Sequence, residues 1–258
     1  MRVYIYFLCA LCGKEIFSRV IRFSLRTLHL WVRYFQMKIE AVIFDLDGTL
    51  IDSMGVWAEV DKEYLGKRGL PVPDNLFQDM EHGDSFIEVA KYFKQKFNLP
   101  DSIDEIMQEW TDTVKMHYEN NISLKSGAKK LLEYLYAKNI KIGLGTSNSK
   151  FLANAVLKAN NVLHFFDCIV AGCQNIKGKP FPDIYLKVAT ALDVNPSNCI
   201  VIEDVYVGVK AAKNAGMTVF SIEDEHTKPE GEKIKRVTDY YCKDFREVKE
   251  RLIKLIEF

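Results

Sequence analysis

A chain of 258 residues, 48% hydrophobic and 27% charged, can bury one large core or one domain carrying a smaller inserted one. Its 35 basic side chains match its 35 acidic ones, so nothing in the charge suggests a nucleic-acid partner. Six cysteines are too sparse for a disulfide scaffold of this length, which leaves reduced thiols in a cytoplasmic protein as the expectation.

Residues 1–36 differ in charge from the rest of the chain. They hold six basic side chains (Arg2, Lys14, Arg19, Arg22, Arg26, Arg33) and one acid, Glu15, so the remaining body carries 29 basic and 34 acidic groups. The apolar run at 3–11 falls short of the roughly 20 residues that span a bilayer. Residues 16–35 interleave Arg with Phe, Leu, Ile and Trp, the pattern of a basic amphipathic helix at a membrane surface. Cys9 and Cys12 form a C-x-x-C with no second pair or His cluster beside it. Because Met37-Lys38-Ile39-Glu40 opens directly into an apolar strand, a translation start assigned too far upstream is the preferred reading, and a membrane is not an expected partner.

The first strand is Ala41-Val42-Ile43-Phe44, an unbroken apolar run of the kind buried on both faces. Asp45-Leu46-Asp47-Gly48-Thr49-Leu50 follows at once. Two carboxylates two residues apart at a strand's carboxyl end are a poor way to build a core. Gly48 permits the backbone to curl there, so that both can face one mouth. A plain turn uses the same residue types; the loops downstream decide between the two readings.

Between the first and second strands lie about ninety residues, far more than a simple crossover needs. Met54, Trp57, Val60, Tyr64 and Leu65 recur at helical spacing, as do Phe86, Val89, Ala90 and Phe93, and again Ile103, Ile106, Met107, Trp110 and Val114. Pro71, Pro73 and Pro100 separate the three stripes. Residues 54–121 therefore read as an inserted helical bundle, most of whose aromatic residues are its core. His82, in Glu81-His82-Gly83-Asp84, reads either as a specificity residue or as a solvated loop histidine.

Further strands are expected at 140–144, 168–171, 199–202 and 217–221, alternating with helices at 127–138, 150–160, 183–192 and 206–215, and a last helix at 243–258 covers the sheet. That order implies an α/β fold with a parallel, Rossmann-like sheet. In such sheets ligands sit beyond the carboxyl ends of the strands. Thr146, Ser147 and Asn148 follow the second strand, Lys177-Gly178-Lys179-Pro180 the third, and Glu203-Asp204 the fourth. Hydroxyls and an ammonium suit phosphate oxygens, and clustered carboxylates suit a hard cation such as Mg²⁺. Each group has a structural alternative: Thr146, Ser147 and Asn148 could cap the following helix, Lys179 could be an ordinary solvated lysine, and Glu203-Asp204 could be a turn.

Taken together, Asp45-Leu46-Asp47-Gly48-Thr49, Thr146, Lys179-Pro180 and Glu203-Asp204 resemble the haloacid dehalogenase-like superfamily over about residues 39–222, in its subgroup with a small α-helical cap. The resemblance implies a catalytic core of residues 37–53 and 122–258, a cap at 54–121, and Mg²⁺-dependent hydrolysis of a small phosphate monoester through an aspartyl-phosphate. It implies Asp45 as nucleophile and Asp47 as acid and base. Thr146, Lys179, Ser147 and Asn148 would meet the phosphate; Asp45, Asp47 (by its carbonyl), Asp204 and Glu203 would hold the metal. Trp57 and His82 would bear on substrate choice. Lys179 is preferred to Lys177 because Pro180 follows it. Val205 departs from the pattern, since relatives usually carry Ser or Thr there. A sugar-phosphate mutase of the β-phosphoglucomutase kind is the enzymatic alternative, although Trp57 stands about where that subgroup has His and Arg68 is the insert's sole arginine. A phosphate- or metal-sensing binding protein is the non-enzymatic one. The partner expected is a small phosphorylated metabolite, and the chain a monomer or weak dimer.

Overall fold

A computed structural model describes residues 38–73, 76, 86–172 and 176–257. The extension at 1–36 and His82 lie outside the described residues.

Six strands form one sheet: β1 (Ala41–Phe44), β2 (Lys141–Thr146), β3 (Cys168–Ala171), β4 (Cys199–Glu203), β5 (Thr218–Ile222) and β6 (Tyr240–Cys242). Their order is β3-β2-β1-β4-β5-β6 and every pairing is parallel. The chain therefore builds outward from β1 on one side, then restarts on the other side with β4. That reversal is the topological switch point, and it lies between β1 and β4. β1 is wholly buried along its length, which explains a run with no apolar–polar alternation. Phe44 pairs with Leu144 on one flank and Ile202 on the other, so Asp45, Thr146 and Glu203 emerge together from three adjacent strand ends.

Between β1 and β2 lie α1 (Met54–Gly66), α2 (Phe86–Lys96), α3 (Ile103–Asn120) and α4 (Ala128–Ala137). The remaining helices are α5 (Lys150–Ala159), α6 (Asp183–Ala191), α7 (Tyr206–Asn214), α8 (Gly231–Val237) and α9 (Phe245–Glu257). α3 begins with a capping box: Ser102 Oγ accepts from the Glu105 amide at 3.2 Å, and Glu105 accepts from the Ser102 amide at 2.7 Å. Trp110 and Phe93 meet edge to face at 4.9 Å between ring centres, and Tyr64 packs on Trp110 at 5.5 Å. This aromatic cluster holds α1, α2 and α3 together.

The chain enters and leaves this insert through two adjacent segments. Ile51 and Leu124 form an antiparallel bridge, the Asp52 amide donates to the Ser123 carbonyl at 3.2 Å, and the Lys125 amide donates to the Leu50 carbonyl at 3.0 Å. Both insert ends are thus fastened beside the loop that carries Asp45 and Asp47.

The strand β6 and helix α8 lie outside the sequence expectation. β6 has three residues, two of them only half-buried, so it presents no apolar run. Cys168, Cys199 and Cys242 are free thiols. Among the described residues no helix is long and apolar enough to cross a membrane.

Candidate active site

The loop after β1 curls tightly: the Leu50 and Ile51 amides both donate to the Leu46 carbonyl, at 2.9 and 3.0 Å. Gly48 sits at φ +80°, where a side chain is strained, and a Cβ there would lie 2.6 Å from Asp204 Oδ2. Glycine is thus required twice over, for the turn and for the close approach of a carboxylate.

Asp45, Glu203 and Asp204 are all buried, and each offers an oxygen within 4.8 Å of the others. Lys179 is buried with them, its Nζ 2.7 Å from Asp45 Oδ1 and also donating to Glu203 Oε1. Tyr185, on α6, donates to the same Glu203 oxygen at 2.8 Å. The other Glu203 oxygen accepts from the amides of Asp204 at 2.8 Å and Val205 at 3.1 Å. Glu203 therefore has two protein donors on each oxygen. Lys177, the rival lysine, is exposed, with its ammonium 4.8 Å from the Phe181 ring centre.

Asp204 is held differently. Oδ1 accepts from Thr49 Oγ1 at 2.5 Å, while Oδ2 is fully buried and has no hydrogen-bond partner. Desolvation, reinforced by the Glu203 charge and opposed by the Thr49 hydrogen bond, pushes the Asp204 carboxyl up to about 7. Asp45 is also pushed well above the usual carboxylate range, by desolvation first, with Lys179 opposing and Glu203 and Asp204 adding to it. Three buried carboxylates face one ammonium, which leaves negative charge in excess and one oxygen unsatisfied. That donor set fits a hard divalent cation, which takes oxygen ligands.

Asp47 points into separate surroundings. Ser53 Oγ donates to its Oδ1 at 2.6 Å, Trp57 Nε1 reaches the same oxygen at 3.3 Å, and the Tyr118 hydroxyl donates to it as well. Asn148 Nδ2 donates to Oδ2 at 3.0 Å. Burial and the Asp47 charge raise the Tyr118 phenol well above its ordinary value, so it keeps its proton to donate.

The structure thus gathers Asp45, Lys179, Glu203 and Asp204 into one group and Asp47, Asn148 and Trp57 into another beside it. Thr146 is buried at the end of β2, its Oγ1 accepting from the Asn148 amide at 3.0 Å. The helix cap expected of these polar residues is supplied by their neighbour: Ser149 Oγ accepts from the Leu152 amide at 3.2 Å. The Ser147 carbonyl accepts from the Phe86 amide at 3.2 Å, docking the start of α2 on this strand end. Arg68 lies elsewhere, bonded to Asp101 at 2.9 Å and Glu109 at 2.7 Å and stacked on the Tyr64 ring.

Four contributors were missed from sequence. Thr49 entered the sequence reading only as the last residue of the Asp45–Thr49 motif, with no role of its own, and Ser53 is a hydroxyl residue whose many possible uses gave no signal. Tyr185 and Tyr118 sit on apolar helix faces, with Tyr118 continuing the stripe of Ile106, Trp110 and Val114 by one more turn.

A family model described as haloacid dehalogenase-like hydrolase matches residues 42–222. A phosphorylated carbohydrates phosphatase of Thermotoga maritima is 31% identical over 179 residues, spanning 69% of this chain and 82% of that protein. A crystal structure of a HAD hydrolase, family IA, variant 3, from Entamoeba histolytica superposes with a TM-score of 0.72 at 29% identity, covering 85% of this chain and 100% of that one. A β-phosphoglucomutase from Clostridium difficile superposes at 0.71 with 26% identity, covering 85% and 97%. The family match runs from the second residue of β1 to the last of β5 and takes in Asp45, Asp47, Thr146, Lys179, Glu203 and Asp204: this chain belongs to the haloacid dehalogenase-like hydrolases.

Proposed function

We propose that this protein is a phosphatase that hydrolyses the phosphate monoester of a sugar or similar small metabolite, with Asp45 as nucleophile and Asp47 as proton donor and acceptor. One observation carries the reading. Two carboxylates two residues apart are held in opposite ways, Asp45 buried against Lys179 in an acidic cluster and Asp47 among hydroxyl, indole and amide donors. Division of labour between neighbouring carboxylates is how one site supplies both a nucleophile and an acid. The substrate class draws support from the Thermotoga relative, a phosphorylated carbohydrates phosphatase.

In the first step an Asp45 oxygen bonds to phosphorus as the bond to the leaving oxygen breaks, and a proton passes from the Asp47 carboxyl to that oxygen. In the second, water attacks the aspartyl-phosphate and gives a proton to Asp47, while the Asp45–phosphorus bond breaks and releases phosphate. Lys179 fixes the Asp45 side chain and adds positive charge beside the transferring group. Glu203, with donors on both oxygens, serves chiefly to hold Lys179. Thr146 and Ser147 are assigned to the phosphate, with the Thr146 hydroxyl proton left to donate; Asn148 also holds Asp47. Asp45, Asp204 and the backbone carbonyl of Asp47 would hold Mg²⁺, which when bound offsets carboxylate–phosphate repulsion and balances charge on the transferring phosphoryl group.

Residues 54–121 act in this reading as a cap that excludes water and selects the substrate. Its sole arginine, Arg68, is committed to Asp101 and Glu109. A mutase must grip a second phosphate, so this commitment favours hydrolysis. The test is a screen of phosphorylated sugars, nucleotides and glycolate, alongside p-nitrophenyl phosphate, with Mg²⁺. Asp45→Asn should fold normally and release no phosphate; appreciable turnover by that variant refutes the assignment.

A further inference from the structure

We propose that Tyr118, on the last turn of α3, is the positioning residue that aims Asp47 at the leaving oxygen, and that with Trp57 it makes the acid's placement depend on the inserted helices. The inference rests on Asp47 being the proton donor.

The hydroxyl of Tyr118 is a junction with no spare capacity. It donates its single proton to Asp47 Oδ1 and accepts from Trp57 Nε1 and from Asn148 Nδ2, each at 3.1 Å. Trp57 and Asn148 also reach Asp47 directly, at 3.3 and 3.0 Å. Four side chains thus interlock: Asp47 from the β1 loop, Asn148 from the loop after β2, Trp57 from α1 and Tyr118 from α3. Of the direct donors to Asp47, Ser53 and Asn148 come from segments next to the strand ends, and Trp57 and Tyr118 come from the insert. The rings reinforce the geometry, with Trp57 and Tyr118 edge to face at 6.3 Å between centres.

A buried phenol that merely needed a partner would account for the Tyr118 bond alone. The same bundle buries the Tyr64 hydroxyl with no partner at all, so its tyrosines are not satisfied as a matter of course. What distinguishes Tyr118 is that its partners are the carboxylate read as the acid and two side chains that touch that carboxylate. A carboxyl group left with fewer donors samples more rotamers, and a proton donor misplaced by a fraction of an ångström transfers poorly.

The consequence depends on the leaving group. p-Nitrophenolate is a stable anion and departs with little help, whereas phenolate is more basic and gains more from a delivered proton. kcat/KM reads the step in which the leaving group departs, and is blind to the later hydrolysis of the aspartyl-phosphate. The experiment measures kcat/KM for both aryl phosphates, at saturating Mg²⁺, with the full-length protein and with Tyr118→Phe, Trp57→Phe and Asp47→Asn. Tyr118→Phe should lose about tenfold more on phenyl phosphate than on p-nitrophenyl phosphate, a modest share of the roughly 10²–10⁴-fold that general acid catalysis supplies. Trp57→Phe keeps the phenol, removes the indole donor, and should shift the ratio the same way; it carries the comparison if Tyr118→Phe does not fold. Equal losses on the two esters, or no loss, from the folded variant overturn the proposal. Asp47→Asn separates the two levels: if it shows no leaving-group discrimination the acid assignment itself fails, and if it does while Tyr118→Phe does not, only the positioning role falls.

Discussion

Replacing Asp204 by Asn should stabilise the metal-free protein while destroying its activity. Asp204 is buried with one oxygen unsatisfied, and its carboxyl is raised from the usual 3.8 to about 7, by desolvation first and by Glu203 second. The folded state therefore binds a proton that the unfolded chain has released, between pH about 4 and about 7. Stability falls as pH rises wherever the folded state holds the extra proton, here by up to about 1.4 kcal/mol per unit. Below that window both states are protonated and no cost appears; above it both are ionised and the folded state bears the whole cost, on the order of 4 kcal/mol. Asn keeps an oxygen for the Thr49 hydroxyl and carries no charge to desolvate. Urea unfolding in EDTA at pH 5, 6, 7 and 8 should show Asp204→Asn gaining on the unmodified protein at each step, by a few kcal/mol at pH 8. Asp45, also raised, keeps a smaller slope in the variant because the Asp204 charge is part of what raises it, so the difference between the proteins reports residue 204 together with its coupling to Asp45. Parallel profiles, or a variant less stable at pH 8, would refute the account of Asp204 as an uncompensated buried acid.

The other expectations are simpler to read. EDTA should abolish phosphate release and Mg²⁺ restore it, with Mg²⁺ raising the melting temperature more at pH 8 than at pH 5, because the ligands must be ionised; turnover indifferent to chelator removes the metal role. Lys179→Met leaves Asp45 and Glu203 buried without their shared cation, which should cost about 3–5 kcal/mol in urea unfolding at neutral pH. A loss under about 1 kcal/mol would show that the charges find other compensation. Gly208→Ala places a Cβ 1.7 Å from Glu203 Oε1, so Glu203 must move and release Lys179. It should cost about 1–3 kcal/mol and lower kcat at least as much as KM changes; unaltered kinetics would mean Glu203 does not set the lysine.

Much of the sheet was legible because buried strands are written largely in apolar residues, without interruption in β1 and β3 and with a Lys, Thr or Ser among them in β2 and β5. The gathering of the candidate residues was legible because they stand at strand ends: Asp45, Thr146 and Glu203 lie at the carboxyl ends of three neighbouring strands that pair in register. The partners of Asp47 were not. Tyr118 obeys the same helical spacing as Trp110, and spacing cannot tell a hydroxyl aimed at a carboxylate from one left without a partner, as in Tyr64. Thr146 through Ser149 offer four consecutive polar side chains, and which of them caps α5 is set by where the helix begins, just after Ser149. Glu203 reads as one of two adjacent acids; the neighbouring amides fill its Oε2, but the donors to Oε1 are Tyr185 and Lys179, 18 and 24 residues away in sequence.

The side-by-side attachment of the insert at Ile51 and Leu124 would let residues 54–121 be exchanged as a cassette. A foreign bundle needs only two neighbouring splice points and need not disturb the register of any strand. Such an exchange would not be neutral for reactivity, because Trp57 and Tyr118 leave with the old bundle. On the proposed reading of Asp47 as proton donor and of the insert as a cap, a recipient would also inherit whatever grip its donor offers to Asp47, so selectivity and proton delivery would change hands in a single recombination.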